Sequence, residues 1–450
     1  MERILQFGEG RFLRAFADYF IDVLNEKQLF DGKIVIVQPI EQGLVDIINE
    51  QKGRYTVLLR DMFVQEKRLI KCVSRGINPY TDFENFIESA KSPDLQLVIS
   101  NTTEAGIAFL ETDKLTDCPP ASFPAKVTIM LYERYKHFTD FELNHYNRQV
   151  GDDTSNRAGD DASNRVGDDR SNRVGEDGGL IFIPCELIDA SGDMLKEAVL
   201  KYVKHWGLDK DLDFVNWIHE ANYFANTLVD RIVTGYPEDT ESQDKLLVAA
   251  EPFHFFAIEA KGKAATKIKD ILPFHKTDMN VIITDDVVPY KKRKVRILNG
   301  AHTMSVHAAL LCGKETVGQM MEDPLFVSFL KQGVYEEIIP TLDLDLEDLK
   351  NFADSVLDRF RNPYIKHHLK EIAVNSKLKF ETRILPSILE YHNRKNEWPE
   401  ALTLAYASYM AYGGDVLSDN AGLNERMYGL LDEIKADGMA TVLEKRYNGL

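Results

Sequence analysis

Short apolar runs and segments of helical period alternate over the first 145 residues. Residues 3–7 (RILQF) and 33–40 (KIVIVQPI) have strand character, and residues 12–26 (FLRAFADYFIDVLNE) carry apolar positions at helical spacing. Residues 56–60 and 68–73 predict a hairpin or two adjacent strands, residues 95–100 (LQLVIS) another strand, and residues 126–138 a helix. Strand–helix–strand alternation of this kind predicts an α/β domain around a mostly parallel sheet. After a polar interruption, residues 180–188 (LIFIPCELI) predict a strand, residues 192–206 and 211–234 helices, and residues 281–286 (VIITDD) a last strand. Beyond Pro289 every periodic segment reads as helix: 295–311, 324–342, 346–360, 364–374 and 399–412. The expected organisation is a Rossmann-type α/β domain over 1–286 and an all-α domain over 287–450.

The interruption is residues 147–178, a tandem array of the unit SNRVGDD followed by one variable residue. It has almost no large apolar side chains, so it cannot bury enough surface to offset its ordering entropy. A calcium-binding β-roll needs a nonapeptide with paired glycines, which this unit lacks. The expectation is a disordered surface insertion.

The chain has 450 residues and a net charge of −18, which disfavours nucleic acid and anionic membrane surfaces as partners. Its four cysteines, Cys72, Cys118, Cys185 and Cys312, are far apart and form no CxxC pair, against a disulfide framework or a zinc ribbon. No segment approaches the roughly 18 consecutive apolar residues of a membrane span. Met1 leads directly into a strand-like run without a basic, then apolar, leader. The cytoplasm is the expected compartment.

Gly8 and Gly10 of QFGEGRF (6–12) fall between the first strand and the first helix. A dinucleotide fold needs glycines there, one for the tight turn and one so that the backbone can approach a pyrophosphate. The third glycine of the full pattern is replaced by Leu13, and a plain β–α turn is the competing reading. The acidic residue expected at the end of the second strand is absent: Gln38 and Pro39 stand there, with Glu41 two residues on. No arginine follows to receive a 2′-phosphate, which favours NAD. Asn101, Thr102, Thr103 and Glu104 follow a strand end where ligands of open sheets gather, and they would also serve as a helix cap.

Lys294, Asn299 and His302 are interleaved with apolar residues. At about 100° per residue, Asn299 lies roughly 140° from Lys294 and His302 between them at roughly 80°, so the three share one broad face. Spacing alone favours a plain interpretation: KKRK (291–294) a solvated basic run, Asn299 a tolerated polar residue, His302 a satisfied core histidine. Chemistry offers another. Reducing a ketone by hydride transfer creates an alkoxide that needs a proton and a polarising donor. A lysine can be the acid, an asparagine amide the donor, and a histidine can orient hydroxyls.

Taken together, QFGEGRFLRAF, SNTTEAGI, PCELID, TLVDRIVTGYP, RKVRILNGAHT and RFRNPYIKHHL resemble the polyol-specific long-chain dehydrogenases, the mannitol dehydrogenase family. They occur in the family's order across nearly the whole chain except 147–178. The resemblance implies an N-terminal Rossmann-type domain, a helical C-terminal domain and an active site between them. It implies Lys294 as acid/base with Asn299 and His302 as substrate-holding groups, and Phe7, Gly8, Gly10, Phe12, Asn101, Thr102 and Glu104 at the cofactor. The branch nearest in these motifs implies NAD(H)-dependent reduction of D-tagaturonate to D-altronate without a metal. Fructuronate or a polyol such as mannitol is the alternative substrate, and a dinucleotide-binding sensor without turnover the alternative class. Many members carry an asparagine after the acidic residue of the CE motif; Leu187 stands here. Asp230 and Arg231 either face the cleft or form a buried pair bracing the domains. A uronate needs a cationic partner, for which Arg361, His367, Lys379 and Arg383 are available, since arginine can hold a carboxylate with two parallel hydrogen bonds.

Overall fold

The computed structural model describes residues 1–103, 105–153 and 178–448, with the backbone alone for 140–153. The chain divides into two compact units: Met1–Leu59 with Glu66–Val287, and Arg60–Gln65 with Val288–Leu450.

The first unit is built on a six-stranded sheet of β1 (Glu2–Phe7), β2 (Lys33–Val37), β5 (Val73–Ile77), β6 (Leu97–Ser100), β7 (Ile181–Pro184) and β8 (Tyr223–Phe224). The strand order is β5-β2-β1-β6-β7-β8, and every neighbouring pair is parallel. Both faces are covered, which is why these strands read as unbroken apolar runs. Ile4, Ile34, Ile36, Leu97 and Ile99 face one core, with Leu13, Phe16 and Phe20 packed on them. Leu5, Phe7, Val35, Val37 and Val98 face the other, under Phe86, Val127 and Phe214. Each such side chain contributes about 1.5–3 kcal/mol on burial. The chain reverses its direction of travel across the sheet between β1 and β6, where Phe7 is in register with Ser100.

Two smaller sheets complete this unit. One joins β3 (Tyr55–Arg60), β4 (Gln65–Ile70), β10 (Val233–Gly235) and β11 (Val248–Ala250). The other joins β9 (Thr227–Asp230), β12 (Phe255–Glu259) and β13 (Val281–Thr284). The helix expected over 211–234 therefore ends early, at Glu220. Asn222 stops it: its amide donates to Trp217 O at 3.0 Å, and its Oδ1 accepts from Leu180 N at 3.0 Å. The β-branched run that follows pairs as strands. The helix expected over 12–26 is two, α1 (Arg11–Ala15) and α2 (Ala17–Glu26), broken at Phe16 with φ −122° and ψ −83°.

Helix α3 is Val45–Glu50, α4 is Phe83–Lys91, and α5 runs Phe123–Asp153, beyond residue 147 where the insertion was expected to begin. The rest of the octapeptide array, 154–177, lies outside the described residues. Arg134 on α5 is buried and donates to four carbonyls: Gly178 at 2.6 Å, Ala90 at 2.5 Å, Ser92 at 2.8 Å and Leu95 at 3.2 Å. Burial lowers its pKa to about 10.

The second unit is helical. The tip of the β3–β4 hairpin belongs to it: Asn362 donates to Arg60 O at 3.1 Å, and the Arg60 guanidinium lies 4.3 Å from the centre of the Tyr364 ring. Two helices contain π segments, Lys294–Asn299 and Gln332–Ile338, which pack against each other. Segment 364–374 forms only a short helix, Leu369–Ile372. Glu337, in the second π segment, is buried and accepts the N–H groups of Ala401 and Leu402, both at 2.8 Å. It thereby caps the Glu400–Ala411 helix, whose own N-cap position is Pro399. Among the described residues, no helix is long and apolar enough to cross a membrane.

Burial raises the Glu337 pKa to about 7. Its folded pKa exceeds its unfolded one, so its contribution to stability is fully present below the unfolded value of 4.5 and is lost as pH rises through about 7. Glu337→Gln removes this term. The urea midpoint of the wild type should fall more steeply from acid to mildly alkaline pH than that of the variant. Parallel curves would show that Glu337 does not titrate differently in the folded chain.

Candidate functional site

In the first unit, the candidate residues gather at the carboxyl ends of β1 and β6, the topological switch point where ligands of open sheets bind. Gly8 has φ +119°, and a Cβ there would lie 2.8 Å from Asn101 O. Only glycine satisfies both conditions. Gly10 is the N-cap of α1, and nothing lies within 4 Å of where its Cβ would be. The backbone is thus open on the side from which a pyrophosphate would approach, and the turn fits a dinucleotide. Gly8 N–H donates to Val37 O and Asn101 N–H to Phe7 O, each at 3.1 Å, tying the turn to both neighbouring strands.

The other expected cofactor residues divide. Phe12 is half-buried and stacks on Phe16 at 4.8 Å. The Phe7 side chain is fully buried against Phe86 and Phe123, so it belongs to the core and only its backbone borders the crevice. Asn101 donates its amide to Cys185 O at 2.6 Å. Thr102 donates from both N–H (3.1 Å) and hydroxyl (3.2 Å) to Glu186, and Ser100 donates to the other carboxylate oxygen at 3.1 Å. Burial raises the Glu186 pKa, against these bonds. Asn101 and Thr102 therefore lock the β6 loop to the β7 loop. Thr103 has φ +99°, a strained value for a β-branched residue, at the mouth of the same crevice. Glu104 lies outside the described residues. Leu187, which follows Glu186, is 66% exposed.

Asp230 is buried at the end of β9, opposite Phe255. Arg231 donates to Glu251 O at 2.9 Å and Ala15 O at 2.8 Å, and lies 4.6 Å from the centre of the Tyr19 ring. It braces loops within the first unit.

In the second unit, Lys294 opens the π segment and Asn299 closes it. Bonds from i to i+5 widen the turn, so residues five apart lie nearly above one another. The roughly 140° expected between Lys294 and Asn299 on a regular helix narrows. His302, three residues further on in the α-helix Gly300–Leu311, remains on the same side. The π segment thus gathers the three residues onto one face. The KKRK run is not wholly solvated: Arg293 is buried, bonded to Asp348 at 2.5 Å and set 4.5 Å from the centre of the Phe352 ring.

His302 stacks on Phe360 at 4.1 Å and meets the edge of the His367 ring at 5.3 Å. Its Nε2 is buried without a hydrogen-bond partner. Its pKa is pushed well below the usual value, first by burial and then by His367, Arg359, Arg383 and Lys379. The imidazole is neutral at pH 7, with the charges of Arg359 on one helix and of Lys379 and Arg383 on another around it, and His367, whose own pKa burial lowers, beside it. Burial, and then Arg383, lower the Lys379 pKa, and its Nζ donates to Ile372 O at 2.8 Å. Arg383 donates to Thr303 Oγ1 at 3.4 Å, and Thr303 donates to Asn299 O at 2.8 Å. Of the expected carboxylate partners, His367, Lys379 and Arg383 lie in this cluster. Arg361 instead pairs with Asp358 at 3.3 Å on the preceding helical turn. Arg359, also a member of the cluster, opens the RFRNPYIKHHL motif but was not singled out as a carboxylate partner.

Comparison with known proteins identifies this architecture. The mannitol dehydrogenase Rossmann domain matches residues 2–148 and 166–270, and the mannitol dehydrogenase C-terminal domain matches residues 286–441. The chain belongs to the mannitol dehydrogenase family and is an oxidoreductase. It is 41% identical to altronate oxidoreductase of Yersinia enterocolitica and 42% identical to that of Escherichia coli O139:H28, over 91% of this chain and 80% of each relative. A substrate-free D-sorbitol dehydrogenase shares the fold at TM-score 0.73 and 19% identity, covering 97% of this chain and 93% of that one. Mannitol 2-dehydrogenase of Pseudomonas fluorescens, solved with NAD and D-mannitol, does so at TM-score 0.63 and 19% identity, covering 100% and 95%. The stretch 149–165 left unmatched by the Rossmann-domain family falls within the octapeptide array.

Proposed function

We propose that this chain is an NAD-dependent reductase that interconverts D-tagaturonate and D-altronate. The supporting observation is the cationic cluster around the unpartnered Nε2 of His302, which suits an anionic, hydroxyl-rich substrate. The relatives named altronate oxidoreductase favour the same substrate pair. The first unit holds the dinucleotide, with Gly8 and Gly10 at its pyrophosphate, and the helical unit carries the substrate chemistry. NADH, when bound, supplies a hydride to the substrate's carbonyl carbon.

Lys294 then gives a proton to the oxygen that becomes the new hydroxyl, and takes it back in the oxidation direction. Asn299 donates an amide N–H to the same oxygen as negative charge develops. The neutral His302 imidazole bonds a substrate hydroxyl, satisfying the buried nitrogen that otherwise lacks a partner. Arg383, Lys379 and His367 hold the carboxylate.

Steady-state rates with D-tagaturonate, D-fructuronate and D-fructose, each with NADH, test the proposal. D-tagaturonate should give the highest kcat/KM and D-fructose the lowest. Preference for D-fructose would remove the carboxylate from the reading; preference for D-fructuronate would change the epimer and keep the mechanism.

A further inference from the structure

We infer that Glu9 supplies the acidic group of the adenosine-ribose subsite and so sets the preference for NAD over NADP. This rests on the proposal that the chain uses NAD. In dinucleotide folds a carboxylate at the end of the second strand commonly receives the ribose hydroxyls. Gln38 holds that position here. It is 2% exposed and bonded within the loop that follows: Nε2 donates to Ile40 O at 2.9 Å and Glu41 O at 2.8 Å, and Oε1 accepts from Val45 N at 3.3 Å. Gln38 shapes the loop after β2, carries no charge, and commits both of its amide N–H groups to that loop.

Glu9, the middle residue of the glycine turn, turns its carboxylate towards that same loop. It is 8% exposed and accepts the N–H of Leu44 and its own N–H. A Cβ at Gly43 would collide with Glu9 Oε1 and would lie 2.6 Å from the Gln38 carboxamide. Glu9, Gln38 and Gly43 thus form one contact, with Gly43 exposed above it. Glu9 Oε2 is buried and has no hydrogen-bond donor. A buried carboxylate oxygen without a donor is costly, and Glu9 sits between the two glycines of the turn. Burial also raises the Glu9 pKa, with the Arg14 charge opposing the shift. A ribose hydroxyl would satisfy Oε2. A 2′-phosphate would instead bring negative charge against a carboxylate poorly screened by water.

Calorimetric dissociation constants for NADH and NADPH, measured on the full chain, provide the test. Wild type should bind NADH more tightly. Glu9→Gln should reduce the NADH-over-NADPH ratio at least about tenfold, the scale of losing one hydrogen bond to a charged group. Glu9→Asp keeps the charge and should keep the preference. Glu9→Ser removes the charge with less bulk, and serves if the glutamine variant does not fold. Glu41→Gln, which changes the exposed carboxylate on the same loop, should leave the ratio unchanged. If wild type prefers NADH but the charge-removing Glu9 variants keep its ratio, or Glu41→Gln alone shifts it, the role of Glu9 is overturned and the NAD reading stands. If wild type prefers NADPH, both are overturned.

Discussion

Lys294→Ala should lower kcat for D-tagaturonate reduction by about two to four orders of magnitude, the range removed with a general acid. NADH should bind as before, because the glycine turn that fits the dinucleotide lies in the other unit. Loss in kcat without loss of cofactor affinity separates proton transfer from binding. Stopped-flow measurement of the single-turnover rate, beside calorimetric NADH binding, reads both. His302 provides a check on the assignment. Its imidazole is neutral through the neutral pH range, since burial and neighbouring cations push its pKa far down. It cannot replace an ammonium as proton donor there, so the variant should recover no activity as pH falls from 8 to about 6. Unchanged turnover in Lys294→Ala would overturn the mechanism.

Arg383→Met should cost about a hundredfold in kcat/KM for the ketouronate, the scale of losing charge-assisted hydrogen bonds to a carboxylate. Its effect on D-fructose, which has no carboxylate, should be several-fold at most. The contrast matters because Arg383 also donates to Thr303, whose hydroxyl bonds the Asn299 carbonyl. A structural role through that chain would damage Asn299 and slow both substrates alike. Selective loss of the acid substrate identifies a carboxylate anchor; equal loss identifies a brace.

The parallel sheet was legible in the chain because strands buried on both faces become apolar runs, and those runs alternate with helix-period segments. The glycine turn was legible for a related reason: a positive φ beside a close backbone approach leaves no other residue possible at Gly8. The helix expected past Glu220 was not excluded by its pattern. It ends because Asn222 bonds Leu180, some forty residues earlier, which no local window contains. Regular helical phase already placed Lys294, Asn299 and His302 on one broad face; the π segment, which has no compositional signature, narrows that face. Gln38 looked like a missing ribose ligand, and its actual work, holding the 39–45 loop, depends on backbone positions the sequence does not display. The cluster was partly visible. His367, Lys379 and Arg383 were named for their charge and lie together near His302, whereas Arg361, equally plausible by type, pairs with Asp358.

Arg134 has a bearing on how this chain tolerates its octapeptide array. Four carbonyls, one of them on Gly178 where the described chain resumes, converge on a single guanidinium. The sheet therefore receives β7 from a fixed mooring, whatever number of units precedes it. Even for a freely flexible connection, doubling the length adds only about 0.6 kcal/mol of closure entropy. Gain or loss of whole repeats, the common error of copying tandem DNA, should be nearly silent in stability, and the enzyme can carry a length-polymorphic tract without retuning its core.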